Sequence, residues 1–246
     1  MSGRFDQGCS AFPKLYLCCV AMQHAANTDL PGPAPGLTRE SRSRNPEQTQ
    51  LEILEIATLA FAEKGLSGAR VDDIAARTRT TKRMIYYYFG SKEGLYSAVI
   101  ERAYGGIRDA ERQLQLDSLP AVDAMRRLVE STFDYHQSNP AFVRLVSVEN
   151  IEEGRHVRAS AAVAQRNAEV VVTMRNLLER GAREGSFRGG VDPLDLHILI
   201  NGVSFHRVSN RHTLHAIFGR DLREERVARS QREMLVEAVL AFLRPR

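Results

Sequence analysis

Residues 71–92, VDDIAARTRTTKRMIYYYFGSK, read as a short helix, a tight turn, a second short helix, and then a helix start at Ser91. Ile74 and Ala75 can pack inward from the first segment, and Ile85 and Phe89 give the second an apolar side. From Ile74 to Lys92 every charge is positive: Arg77, Arg79, Lys82, Arg83 and Lys92. Three consecutive tyrosines, Tyr86, Tyr87 and Tyr88, follow Arg83 closely. Two short helices with cations and phenolic hydroxyls around the second suit an element laid into the major groove of DNA against phosphates.

Within that stretch the residues divide by role. Thr81 is a good N-cap for the second helix, expected over about 82–87. Lys82 and Arg83 at its N-terminal end are best placed to reach base edges, where either can pair with guanine N7 and O6. Tyr86 and Tyr87 are expected on phosphates, with Arg70 a further phosphate contact just before the first helix; Tyr88 and Phe89 are expected mainly in the core. Asp72 and Asp73 fall in the first turn of the helix over 71–77, where the helix dipole favours negative charge.

Gly65-Leu66, then Val71-x-x-Ile74-Ala75, then Lys82, then Tyr86-x-Tyr88-Phe89-x-Ser91-Lys92-Glu93-x-Leu95 resemble the N-terminal domain of TetR-type one-component transcriptional regulators, over roughly 47–99 without a gap. The resemblance implies that Lys92 also grips the DNA backbone. It implies an all-α fold: an N-terminal three-helix helix-turn-helix domain, about 46–95, and a larger C-terminal helical domain, about 96–246, for ligand binding and dimerisation. It further implies a homodimer through the last two helices, double-stranded operator DNA as partner, and repression relieved by a small organic effector. The turn departs from the family pattern, in which a glycine and an apolar residue usually stand where this chain has Arg79 and Thr80. Arg79 there either carries positive-φ strain of about 1 kcal/mol or shapes the turn differently, with an extra cation facing phosphate as the compensation.

Composition is permissive. A chain of 246 residues supports one large or two small domains, and a net charge of +4 allows nucleic acid without demanding it. Cys9, Cys18 and Cys19 all precede residue 20, so the remainder has neither a disulfide framework nor a cysteine metal site, as suits a reducing cytoplasm. No apolar run approaches the ~20 residues of a membrane span. Leu15 to Met22 could form a short signal-peptide core, but Asp6 precedes it and no cleavage site follows. Residues 1–45 therefore read as a flexible tail, with Met22 available as a later start. Pro31, Pro33 and Pro35 rule out helix in its linker part, and Arg39, Arg42 and Arg44 there either follow phosphates or sit in a solvated tail.

The other helices follow from periodicity and punctuation. A first helix begins near Pro46, buries Ile53, Ala57, Ala60 and Phe61, and stops at Gly65. The helix after Ser91 runs through Leu95, Val99 and Ala103 to Gly105-Gly106. Each glycine costs about 1 kcal/mol inside a helix, so the pair marks a bend, a break or a close packing point, or the helix ends there. Helices are expected over about 121–137, 141–151, 157–184, 193–208 and 223–243, the last with a stripe of Val227, Met234, Leu235, Ala238, Val239 and Phe242 compatible with a dimer interface.

No catalytic constellation stands out: there is no Gly-x-Ser-x-Gly elbow, phosphate-cradling glycine loop or His-Glu-x-x-His helix, so no enzyme, cofactor or metal is expected. His212 and His215 read as surface residues, and Glu149, Glu152 and Glu153 as a solvated helix end. Phe133, His136, Phe142, Asn150, His197, Asn201 and Phe205 set polar groups among apolar ones, as an effector pocket would; satisfied core groups or dimer contacts are the other reading. Two rival functions remain at this point. One is a dimeric helical adaptor that no longer reads DNA, for which the Arg79-Thr80 turn is the only hint. The other is a helical enzyme with a DNA-binding-like N-terminus.

Overall fold

The computed structural model describes residues 45–245; the readings of the cysteines, the signal-like core and the arginine-bearing linker fall outside those residues. Among the described residues there are eleven α-helices and no strand. α1 (Pro46–Gly68) starts on Asn45, whose side chain accepts from the Glu47 amide, and buries Ile53, Ala57, Ala60 and Phe61. Gly65 takes a positive φ of 68° as expected, but a further turn carries the helix on to Gly68. α2 (Val71–Arg77), α3 (Lys82–Phe89) and α4 (Lys92–Arg112) complete the N-terminal part, with Thr81 and Ser91 capping α3 and α4 as expected. Beyond a 3-10 turn at Leu116–Ser118 come α5 (Ala121–Ser138), α6 (Pro140–Ile151), α7 (Arg155–Ala159), α8 (Ala161–Arg183), α9 (Pro193–Ser209), α10 (Arg211–Phe218) and α11 (Glu225–Leu243). No described helix is long and apolar enough to cross a membrane.

The structure narrows or overturns several expectations. Of the alternatives open for Gly105-Gly106, the structure shows the close packing point: α4 runs unbroken through both. The two glycines admit side chains: a Cβ on Gly105 would collide with the Arg166 guanidinium of α8, and one on Gly106 would lie 2.7 Å from the Tyr135 hydroxyl of α5. The single helix expected over 157–184 splits at Ser160, which is extended at φ −97° and ψ 107°. Its hydroxyl accepts from the Val163 amide and donates to Glu101 Oε1 at 2.6 Å, so an N-cap with a distant partner overrides continuous helical periodicity. α10 forms in the stretch between the helices expected over 193–208 and 223–243, where none was expected, and is closed by Gly219 at φ 67°.

Glu149 is no solvated helix end. It is 1% exposed and accepts from the His156 and Val157 amides at 3.1 and 3.2 Å and from His156 Nδ1 at 2.9 Å, so it holds the first turn of α7. The α11 stripe also divides. Val227, Leu235 and Val239 face the chain's own core, whereas Met234, Ala238 and Phe242 point outward.

Two large apolar clusters hold the molecule, with a smaller third around Ile107, Phe142, Val143 and Val208. The first joins α1, α2, α3 and α4 through residues such as Phe61, Ile74, Ile85 and Leu95, and also takes in Leu145 of α6 and Val163 of α8. The second packs α5, α8, α9 and α11 around Phe133, Met174, Ile200 and Val239. Arg207 crosses from α9 inside it, donating to Gln231 Oε1 at 3.0 Å and to the Leu222 carbonyl at 2.7 Å, with Gln137 a third partner and the Phe133 ring beneath its guanidinium. Such a buried charge is tolerable because its donors are matched.

Candidate nucleic-acid interface and interior hollow

α3 is anchored by Ile85, fully buried, with Tyr88 and Phe89 packed part-buried on the same cluster. The opposite face carries Lys82, Arg83, Tyr86 and Tyr87, all exposed, Tyr87 at 77%. Spacings of one, four and five place these four side chains on one side of a helix. The turn before α3 settles the question of Arg79: its φ is 52°, and the Thr80 amide donates to the Ala75 carbonyl at 3.2 Å, closing α2 with a left-handed residue normally served by glycine. Arg79 is exposed, as are Arg70 and Arg77, so this side of the helix pair is fringed with guanidinium groups.

Three sequence-selected groups already have intramolecular partners. Lys82 Nζ donates to Asp72 Oδ2 at 3.0 Å, and that bond with its charge raises the ammonium pKa. The pair is exposed, hence screened, and Lys82 must leave Asp72 to meet a base or phosphate. The Thr81 hydroxyl is taken up in capping Met84. Lys92 Nζ donates to the Ser67 carbonyl at 3.2 Å, satisfying the end of α1. Asp72 as a tether for Lys82 was missed, because a first-turn acid looks complete as a partner of the helix dipole. Arg83 has no ion-pair partner among the described residues.

A second feature lies in the C-terminal part. His136, Phe142, Asn150, His197, Asn201 and Phe205 line one hollow, with Tyr104, Ile107 and Arg108 of α4 opposite. Phe133 does not join them; it is 1% exposed in the neighbouring core, under Arg207. A second hollow shares Arg108, His197 and Asn201 and continues past Glu111, Arg166 and Thr173. His136 Nδ1 meets the Thr132 carbonyl at 2.8 Å, and burial lowers its pKa. Asn201 Nδ2 donates to the His197 carbonyl at 2.9 Å. Burial first, then Arg108 and His136, bring the His197 imidazole down to about 4.

Arg108 and Glu111 form a pair at 2.5 Å that is almost wholly inside the protein; burial lowers the pKa of the first and raises that of the second. Neither was singled out from the sequence, since an Arg–Glu spacing of three on a helix reads as an ordinary surface pair. Among the described residues no group of His, Cys, Asp and Glu could hold a metal ion, and His212 and His215 are exposed on α10.

Comparison with known proteins bears on both features. The family model "Bacterial regulatory proteins, tetR family" matches residues 53–99, and "Tetracyclin repressor-like, C-terminal domain" matches residues 122–239. The chain is 32% identical to the HTH-type transcriptional repressor NicS of Pseudomonas putida over 82% of its own length and 96% of that protein. It is 34% identical to the HTH-type transcriptional repressor SCO4008 of Streptomyces coelicolor over 56% of this chain and 69% of that one. Among solved structures, SCO4942 of Streptomyces coelicolor matches with a TM-score of 0.62 at 28% identity, covering 80% of this chain and 99% of the other.

Proposed function

The chain belongs to the TetR family of bacterial regulatory proteins, and from that premise we propose that it is a homodimeric transcriptional repressor which reads an operator through α3 and is released by a small organic effector. The observation that carries the DNA reading is the division of α3 into a face locked by Ile85 and an outward face of Lys82, Arg83, Tyr86 and Tyr87. Lys82 and Arg83 serve base edges; Tyr86, Tyr87, Arg70 and Lys92 serve phosphates, with Thr81 holding the helix start. Residues 46–95 form the reading head and 96–246 the dimerising, effector-binding part.

Exposed apolar groups support the dimer: Leu194, Ile198 and Leu199 on α9 and Met234 and Phe242 on α11. They lie on the helices expected to pair, which α10 separates in sequence. Two copies of α3 about a two-fold axis address half-sites a helical turn apart. The hollow supports the effector. α4 reaches from Leu95 and Tyr96 in the head's core to Arg108 and Glu111 at the hollow, and its 21 residues span about 32 Å as one rigid rod. An effector that prefers one tilt of that rod, while DNA prefers another, shifts the population between them.

The test is fluorescence anisotropy on the DNA upstream of the chain's own gene. Lys82→Ala with Tyr86→Phe is expected to weaken binding by about tenfold or more and to flatten its salt dependence by about one unit of slope per lost phosphate contact. Asp72→Asn, which frees Lys82, is expected to strengthen binding at low salt. Unchanged affinity and slope in the double variant would overturn the site assignment. Binding indifferent to salt in the wild type would favour an adaptor.

A further inference from the structure

We infer that the hollow bordered by α4, α5, α6, α8 and α9 takes a small organic carboxylate, its apolar body against Phe142 and Phe205 and its carboxylate at Arg108. This rests on the effector reading above and adds the chemistry of the ligand. Arg108 is 6% exposed, lines both parts of the hollow, and gives one N–H to Glu111 while its Nε has no partner. A buried guanidinium N–H without an acceptor leaves a desolvation penalty that a bound anion removes. Arg166 adds to the demand. Its guanidinium lies against α4 where Gly105 has no Cβ, and it has no ion-pair or hydrogen-bond partner among the described residues.

Charge bookkeeping along the second part of the hollow gives the same sign. Arg108 pairs with Glu111, and Arg112 pairs with Asp109 and Glu169, so the guanidinium left without a carboxylate partner among the described residues is that of Arg166. His136 and His197, held neutral by burial, add no charge. A carboxylate supplies the acceptor that Arg166 and the Arg108 Nε lack, and its planar shape suits the fork of a guanidinium. The other part of the hollow calls for an organic body rather than a bare ion. Its rings stand edge to face, Tyr104 with Phe142 at 5.8 Å and His136 with Phe205 at 6.3 Å, around a mostly apolar space.

The experiment is isothermal titration of the full-length protein with benzoate, with benzamide as its uncharged counterpart, and with inorganic phosphate. Benzoate is expected to bind at least tenfold more tightly than benzamide, and phosphate not at the same concentrations. Arg108→Gln alone would strand Glu111, so the variant is R108Q/E111Q, which replaces the pair as a unit; Arg166→Gln is a second variant at a less buried position. The preference for benzoate is expected to fall to within about twofold in the double variant and to shrink in R166Q. Benzamide binding as tightly as benzoate, phosphate binding as tightly as benzoate, or a preference that survives both variants overturns the proposal. If neither aromatic probe binds but a neutral apolar compound stabilises the protein in a thermal-shift panel, the carboxylate proposal falls and the effector reading stands. If no compound of either kind stabilises it, both fall.

Discussion

At the scale of the residue, His197 ties the hollow to pH. Its folded pKa is about 4 against an ordinary 6.5, so between those values the unfolded chain binds a proton that the native state refuses. Stability is therefore greatest above about pH 6.5 and falls as the pH drops toward 4, and His136, also lowered, acts in the same direction. The charged groups around the hollow are Arg108, Glu111 and Arg112 of α4 and Arg166 and Glu169 of α8. Glu111, raised by burial from 4.5, works in the opposite sense from that pH upward, so the comparison that decides is between wild type and variant. Urea midpoints at pH 7.5 and 5.0 are expected to show a smaller acid loss in His197→Gln than in the wild type. Equal losses would mean that the imidazole is hydrated and not held neutral. Nothing beside His197 in the sequence reveals this, because the neighbours that desolvate and repel it come from other helices.

At the scale of the element, packing overrules propensity where glycines stand inside helices. Gly181, in the last turns of α8, costs about 1 kcal/mol relative to alanine by propensity. A Cβ there would enter the ring of Phe187, which is 4% exposed and closes the C-terminal end of α8 by donating its amide to the Gly181 carbonyl at 3.0 Å. Overpacking costs about 1–3 kcal/mol, more than the propensity gain. Gly181→Ala is accordingly expected to destabilise by about 1–2 kcal/mol in urea titration, and a rise in stability would show that Phe187 can swing clear. Gly105-Gly106 follows the same rule. Their sequence signature allows a break or a close packing point, and the second holds: α4 passes through unbroken, with Arg166 and Tyr135 in the space that side chains would fill.

At the scale of the molecule, the proposed reading of DNA requires α3 to be presented twice. The outward apolar groups of α9 and α11 are too many to leave in water, Ile198 at 57% and Met234 at 57% exposure among them. Ile198→Glu with Phe242→Glu is expected to turn a dimer into a monomer in sedimentation velocity and to weaken operator binding by well over tenfold, while helix content by circular dichroism stays unchanged. A variant that stays dimeric would place the interface elsewhere, with the exposed Ile217 and Phe218 of α10 the next surface to change.

What the sequence by itself determined is local. The bounds of α2, the caps Thr81 and Ser91 and the outward tyrosines follow from residues within a few positions of one another, and local hydrogen bonds and helix periodicity form the same way wherever the segment lies; the left-handed Arg79 is one of two alternatives that the sequence leaves open. Part of the hollow's lining was also legible, since polar residues on otherwise apolar helix faces are uncommon, but Arg108, Glu111 and Arg166 were not. The tertiary structure alone decided that Glu149 is a buried cap, that Arg108 and Glu111 face inward, that Ser160 divides a helix and that only half of the α11 stripe is outward. In each case the deciding partner or neighbouring helix is distant along the chain, as Glu101 is from Ser160, or the choice of face depends on which helices pack alongside. Burial belongs to the assembled fold and has no signature in a short window of sequence.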